Sequence, residues 1–587
     1  MDSAFTRMFR IHELVCLVAS HLIKKDISHL MRTSRQMHTA MGASFYRELK
    51  THYKPKGINL WESPEGLEAF VRNIHFVKNW QSDPLFFIYY YHALVAFDTI
   101  NNIPASTLAQ SAPPSAYTSS TVPPLFSEMP HDGSRLIPLP PMTELTTVRL
   151  DLAHKDNNAE YFLSSYSDPS ATTIRLCGIL EHLPQLRELD LLDLTIRDSR
   201  SAHLFMTTLQ KMPGLTKLAI ALSADTTFPG IVKSIFSSVQ PSISSLSIAQ
   251  TESNADDSPI SSDTALALPG RITTPLTNLR YLRLANWTEC TTKDEFLSIF
   301  VRCPNLEKLV MVEALVPAAV QGADISRICP NFRDISYYCG KQEDQGTWLL
   351  ELMATLPQHQ LTRVLIQEPR KRRLDDLVAS KSFLRHSQSL REFKIYRSIS
   401  SAAVALVLRT CNVLESVGVY GASLDLQDAV AAPWASSKIN QMSLELNIAP
   451  PSWPHRTRYT PYYLQTPPVP PTAEETQLFV QLESFYRQIS CLKEMQHLYL
   501  GTSQYDEQGF MLRLYSVKAL PGMLALSDNK MGRPGFLEYF GGWTKLETIG
   551  GNIFPETMDG DMPAGAPEME WVMSRWTSFL YTKKPSS

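Results

Sequence analysis

The feature that most constrains this chain is a triplet of apolar residues in the pattern apolar-x-x-apolar-x-apolar, which returns every 24 to 36 residues between Leu186 and Ile439. The copies are Leu186/Leu189/Leu191, Leu215/Leu218/Ile220, Ile243/Leu246/Ile248, Leu279/Leu282/Leu284, Leu306/Leu309/Met311, Phe332/Ile335/Tyr337, Leu361/Val364/Ile366, Leu390/Phe393/Ile395, Leu414/Val417/Val419 and Ile439/Met442/Leu444. With 44% apolar residues, roughly fifty such triplets arise by chance in a chain of this length, so the regular spacing carries the signal. Proline adds to it. Pro184, Pro213, Pro241, Pro304 and Pro330 each stand two residues before a triplet, where proline usage alone predicts about one. A proline there ends whatever helix precedes it and biases the chain toward extended backbone.

Helix-like stretches lie between the triplets. One runs from Thr292 to Val301, where Thr292 and Glu295 have capping-box spacing and Phe296, Leu297, Ile299 and Phe300 form an apolar face. Others are His203 to Lys211, Trp348 to Leu356, Ala402 to Arg409 and Thr476 to Ile489. A strand, a helix and a proline turn form a unit that buries its apolar side only by stacking on its neighbours. The pattern resembles a leucine-rich repeat, which implies a curved α/β solenoid with a parallel sheet on its concave side and an open binding surface. The asparagine usual two residues after the third anchor is clear only at Asn286. Flanking triplets at Val71/Ile74/Phe76, Leu145/Val148/Leu150 and Met495/Leu498/Leu500, with a partial one at Leu546/Ile549, place the solenoid over residues 142–550.

Length is no obstacle to such an array, because a solenoid grows without thickening its core. A net charge of −3 and a pI near 6.6 argue against nucleic-acid binding by bulk electrostatics. The basic run Arg370 to Arg373 reads as a solvated turn, with a nuclear-import signal or an acidic-partner contact as the alternative. The eight cysteines contain no C-x-x-C pair, and Cys303, Cys329 and Cys411 precede triplets, where small buried residues fit. The most apolar run, Pro84 to Phe97, falls short of the ~20 residues a membrane helix needs, and no signal-peptide core opens the chain. These traits predict a cytoplasmic or nuclear protein with no membrane and no nucleic-acid partner.

Three inserts break the pattern: a Pro/Ser/Thr-rich loop over 101–141, a Ser/Asp/Thr-rich loop over 251–274, and a proline-rich loop over 449–472. The last carries Trp453, Tyr459, Tyr462 and Tyr463, so folding over the solenoid or presenting a polyproline ligand are alternatives to a plain surface excursion. Residues 53–100 read as linker helices with a first repeat, and residues 551–587 as a C-terminal cap and tail in which Trp571, Val572, Trp576, Phe579 and Leu580 predict a closing helix.

Residues 1–52 differ in character. Ile11, Leu14, Val15, Val18, Leu22, Ile27, Leu30 and Met31 recur at helical spacing, with a break at Lys24-Lys25-Asp26 that starts a second helix under an Asp26 cap. On its own terms this is a small all-helical module able to shield the open end of a repeat array. The stretch Phe9 to Leu49 also resembles an F-box, in its opening Ile11 and Glu13-Leu14, the aliphatic helix through Val18 and Leu22, the Lys-Asp-Ile turn, then Leu30, Arg32, Ser34 and Arg35, and the Phe45-Tyr46 pair. His12 stands where that family usually has proline. The resemblance, over about 40 residues, implies docking through Ile11, His12, Glu13, Leu14, Val18, Leu22, Asp26, Ile27 and Leu30 on the Skp-type adaptor of a cullin-RING ubiquitin ligase, while the repeats select the protein substrate.

No catalytic motif is present: neither a phosphate-binding loop, nor G-x-S-x-G, nor H-E-x-x-H. His12, His21, His29 and His38 lack metal-ligand spacing, Gly541-Gly542 and Gly550-Gly551 read as turns, and no cofactor or metal is implied. The chemistry that remains is a recognition face. Residues between the buried anchors point to the concave side, and the candidates are Tyr281, Arg283, Lys308, Asp334, Arg363, Glu392, Lys394 and Tyr499, with Tyr338, Tyr396 and Tyr420 just beyond third anchors. The expectation is a non-enzymatic receptor that holds a protein for ubiquitin transfer, or else a plain interaction scaffold capped by its N-terminal helices.

Overall fold

The computed structural model describes chiefly residues 141–152, 169–250, 274–285, 292–338, 345–367, 376–447, 473–502 and 536–551, with breaks of a few residues, and shorter stretches including 47–51, 77–82, 90–94, 504–505, 511–512, 570–576 and 580–581. Two compact units divide the chain, Met1–Glu289 and Cys290–Ser587.

The first unit holds strands β1 (Glu48–Thr51), β2 (Asn79–Ser82), β3 (Thr147–Asp151), β4 (Glu188–Leu194), β5 (Lys217–Leu222), β6 (Ser245–Gln250) and β7 (Tyr281–Ala285), neighbours in chain order. Every neighbouring pair is parallel. Helices α1 (Pro169–Glu181), α2 (Ser199–Gln210) and α3 (Ile231–Ser238) supply the crossovers that parallel pairing requires.

The second unit repeats the scheme with β8 (Lys308–Val312), β9 (Asp334–Tyr338), β10 (Arg363–Gln367), β11 (Glu392–Tyr396), β12 (Ser416–Asp425), β13 (Gln441–Asn447) and β14 (His497–Thr502). A small antiparallel pair, β15 (Gln504–Tyr505) and β16 (Met511–Leu512), precedes β17 (Thr548–Gly551) and β18 (Leu580–Tyr581), which extend the parallel order after β14. Its helices are α4 (Lys293–Arg302), α5 (Gly322–Ile328), α6 (Gln345–Thr355), α7 (Asp376–Arg385), α8 (Ser401–Thr410), α9 (Leu426–Val430) and α10 (Ala473–Ser490).

The triplets set this register. Each of these strands begins two residues after its first anchor, and equivalent positions pair: Glu188 with Lys217, Lys217 with Ser245, Asp334 with Arg363, Arg363 with Glu392, and Gln441 with His497. All the anchors of the ten central triplets are at most 2% exposed. At about 1.5–3 kcal/mol for each large apolar side chain removed from water, this seam is the dominant favourable term. Cys303, Cys329 and Cys411 lie fully buried beside it, as their positions before the triplets predict. The Thr292 hydroxyl accepts from the Glu295 amide at 3.3 Å and starts α4 where the capping spacing places it.

Serine hydroxyls tie the turns together. Ser242 donates to the Leu215 carbonyl at 2.8 Å, Ser389 to Leu361 at 2.7 Å and Ser436 to Leu414 at 2.7 Å, each reaching from one repeat to the first anchor of the repeat before it. These bonds occupy carbonyls that a buried turn would otherwise leave unsatisfied.

Several sequence expectations need correction. Among the described residues, β1 begins at Glu48, inside the segment expected to be wholly helical, and β18 ends at Tyr581, so strands occur beyond the expected limits of 142 and 550. The first full repeat uses Val77 and Trp80 as anchors, 0% and 1% exposed, instead of Val71/Ile74/Phe76, because Trp80 pairs in register with Val148. Gly550-Gly551 closes β17 and Gly541-Gly542 ends a 3-10 turn over Leu537–Gly542. Leu580 belongs to β18, not to a closing helix, while Trp576 is buried and donates its indole N–H to the Trp543 carbonyl at 3.0 Å. The inserts over 251–273 and 449–472 and Asn286 lie outside the described residues.

Candidate interaction surface

Alternation along each strand sends the anchors toward the helices and the residues between them to the opposite, open face of the sheet. In the first unit this face carries cross-strand ion pairs, Arg149 with Asp190 at 3.4 Å and Lys217 with Glu188 at 2.6 Å. Burial raises the Asp190 carboxyl above its ordinary range against the opposing pull of Arg149. Tyr281 and Arg283 sit half-buried on β7 in this unit.

The second unit assembles most of the predicted residues. Asp334, Arg363 and Glu392 occupy equivalent positions on β9, β10 and β11, and Arg363 reaches both carboxylates, Asp334 at 3.9 Å and Glu392 at 2.5 Å. Lys394, two residues along β11, also closes on Glu392 at 2.7 Å. Burial alone would raise the Glu392 carboxyl, but hydrogen bonds from Lys394 and Arg363 outweigh it and hold the carboxyl below the usual range. Lys308 lies half-buried at the same level on β8.

A step further along the strands, Tyr338, Tyr396 and Tyr420 follow the third anchors of β9, β11 and β12. The rings of Tyr396 and Tyr420 stack at 4.2 Å with 7° between planes. Burial, then the neighbouring Tyr420, pushes the Tyr396 phenol up to about 12. Strand β12 shifts register between Gly418 and Ser423, and such a bulge re-aims the side chains beside it. Gly418 leaves the space this needs: a Cβ there would stand 3.0 Å from Tyr420 Cε2 and 3.2 Å from Lys394 Cγ. On β14, Tyr499 is raised by burial and then by the nearby Glu445 and Tyr420.

Glu445 is the residue the sequence reading missed. It stands one position after the anchor Leu444, as Tyr338, Tyr396 and Tyr420 stand after theirs, so the same parity rule marks it. Its side chain is buried, 7% exposed, among the rows of the open face.

Burial pushes the thiols of Cys177 and Cys411 up to about 11 and that of Cys329 up to about 12, so at neutral pH they are packed thiols and not thiolate nucleophiles. Among the described residues no three His, Cys, Asp or Glu side chains are placed to hold a metal, and no helix is long and apolar enough to cross a membrane. The residues expected to dock an adaptor, Ile11, His12, Glu13, Leu14, Val18, Leu22, Asp26, Ile27 and Leu30, lie outside the described residues, as do His21, His29 and His38.

No protein-family model and no curated protein matches the chain. Among solved structures it is similar to the protein of a TLR13–ssRNA13 complex, at 10% identity and a TM-score of 0.33, over 70% of this chain and 52% of that one. It thus spans about half the length of that protein. It is also similar to the leucine-rich repeat-containing protein LegL7 from Legionella pneumophila, at 13% identity and a TM-score of 0.27, over 79% of this chain and 92% of that one. The description of this chain as a leucine-rich-repeat-like array rests on its own anchors, register and one-strand-per-repeat order.

Proposed function

We propose that this protein is a non-enzymatic recognition subunit. The open face of residues 290–587 binds a protein partner, and the segment Phe9 to Leu49 couples it to the Skp-type adaptor of a cullin-RING ubiquitin ligase. One observation carries the first half: the Tyr396–Tyr420 stack beside the Arg363–Glu392–Lys394 network, a pairing of aromatic and arginine groups typical of protein interfaces. The second half is supported by the F-box resemblance. Positioning is then the whole mechanism, since holding a substrate lysine near a charged ubiquitin carrier raises its effective concentration. The protein would act in the cytoplasm or nucleus, where that machinery works.

A second reading is favoured by β1. Because Glu48–Thr51 already pairs with β2, a segment preceding β1 would act as a cap on the array.

One experiment separates the two. The full-length chain and its Leu14→Asp/Val18→Asp double variant are mixed with purified Skp-type adaptor and resolved by size-exclusion chromatography. The ligase reading expects a complex with the unmutated chain and none with the variant, at an unchanged melting temperature, because a carboxylate does not enter an apolar groove. No complex from the unmutated chain would sink it. A double variant that melts lower without any adaptor complex having formed establishes the cap.

A further inference from the structure

We propose that the cleft between the last turns of α1 and α2 is a binding site for a free amino acid with an apolar side chain. The site lies within the first unit, goes beyond the recognition role above and does not rest on it.

The cleft opens where α1 and α2 end in the proline turns ahead of β4 and β5. Its volume is about 410 Å³, within the range of about 300–1,000 Å³ typical of small-molecule sites. Leu180, Leu183, Leu186 and Met212, all buried, supply an apolar floor. Gly214 keeps the space open. A Cβ there would lie 3.6 Å from the Leu186 carbonyl oxygen and 4.0 Å from that of Pro184, both residues of the lining, so a longer side chain would enter the cleft.

The polar side chains of the lining are Glu181, Lys211 and Thr208. The Thr208 hydroxyl is committed to the Leu204 carbonyl at 2.9 Å. That leaves one carboxylate and one ammonium at the rim, Glu181 and Lys211, paired at 3.0 Å with side chains 47% and 61% exposed. A pair this open to water is weakly held, so a ligand can part it, provided that it replaces both charges. Glu181 is the last residue of α1, and neither α1 nor α2 has a basic residue in its last turn. The carboxylate therefore stands at the negative end of a helix and needs a cation in place of Lys211. Lys211, once released, needs an anion. An amino acid carries both on one carbon, with its side chain free to reach the apolar floor. A plain amine would leave Lys211 without an anion, an apolar acid would leave Glu181 without a cation, and a phosphate ester would meet Glu181 and two helix C-termini with like charge.

The test is isothermal titration calorimetry on the full-length protein with leucine, glycine, leucinamide and N-acetylleucine, at about pH 6.5 so that the free amines are protonated. Leucine should bind. Leucinamide, which lacks the carboxylate, and N-acetylleucine, which lacks the ammonium, should each bind at least about tenfold more weakly, and glycine should give no signal. Two substitutions at exposed positions assign the charges. Glu181→Gln should bring leucine down to the affinity of N-acetylleucine, and Lys211→Gln should bring it down to that of leucinamide, a pattern that general loosening of the fold would not produce. Gly214→Leu should abolish leucine binding with the ion pair intact, and if that variant fails to fold the two charge variants decide. The site would be overturned by no heat from leucine, or by glycine, leucinamide or N-acetylleucine binding the wild type as tightly as leucine does. Leucine affinity unchanged in Glu181→Gln, in Lys211→Gln or in a folded Gly214→Leu would overturn it equally.

Discussion

At Gly322 the first turn of α5 runs against α6 so closely that a methyl group has no room. A Cβ there would stand 2.2 Å from the Leu352 carbonyl oxygen and 2.8 Å from the Leu356 amide nitrogen, both backbone atoms that cannot swing away. The contact is fixed by a hydrogen bond from the Gly322 amide to the Thr355 hydroxyl at 2.7 Å. Gly322→Ala should therefore force the two helices apart and cost about 1–3 kcal/mol or more, seen as a lower urea midpoint with an unchanged slope. A midpoint equal to that of the wild type would show that the helices separate freely. The sequence around this glycine carries no sign of the crossing, since the close approach depends on where α6 lands. The triplet anchors were legible at the same scale because their burial depends only on the repeat itself. Glu445 lay between these cases: the parity rule reached it, but a lone glutamate in an apolar stretch does not say what stands beside it.

At the scale of elements, capping and periodicity placed most helices within a few residues, as with α4 under Thr292, and α10, expected over Thr476–Ile489 and found over Ala473–Ser490. The joints between elements were less visible. His386, fully buried after α7, accepts from the Leu361 amide through Nδ1 at 3.4 Å and lies 3.0 Å from the Met353 carbonyl through Nε2. It thereby links α6, the end of α7 and the entry to β10. These bonds fit a neutral ring with the proton on Nε2, and burial, only partly offset by the Met353 bond, lowers its pKa from 6.5 to about 4, with Arg385 and His359 adding to the fall. Between those values the unfolded chain binds a proton that the folded chain does not. The stability held above pH 6.5 is thus lost as pH falls toward 4, by up to about 3 kcal/mol. His386→Gln, which cannot titrate, should start less stable at pH 7.5 and then lose less on acidification to pH 5. Parallel melting-temperature curves for the two proteins across that range would reject the account.

Within each unit, the order of strands could be read from the chain, because one triplet makes one strand and each pairs with the next. Its ends could not. Short strands such as β1, β2 and β18 lack a full triplet, and their places are set by the register of the strand already formed beside them. That dependence on neighbours has a measurable consequence. Phe393, fully buried on β11, packs edge-on against Phe383 of α7 at 4.9 Å and 85°, so Phe393→Ala should cost about 3–5 kcal/mol. In an array where each repeat touches only the next, such a loss stays local before it becomes global. Amide exchange in the variant should rise first in β10, β11 and β12 and in α7 and α8, with β17 of the same unit protected to higher denaturant. A closed core would instead open all its strands together. Uniform loss of protection from β8 to β17 would therefore mean that residues 290–587 fold as one cooperative block, and that the repeats, though written separately in the chain, are not separable in energy.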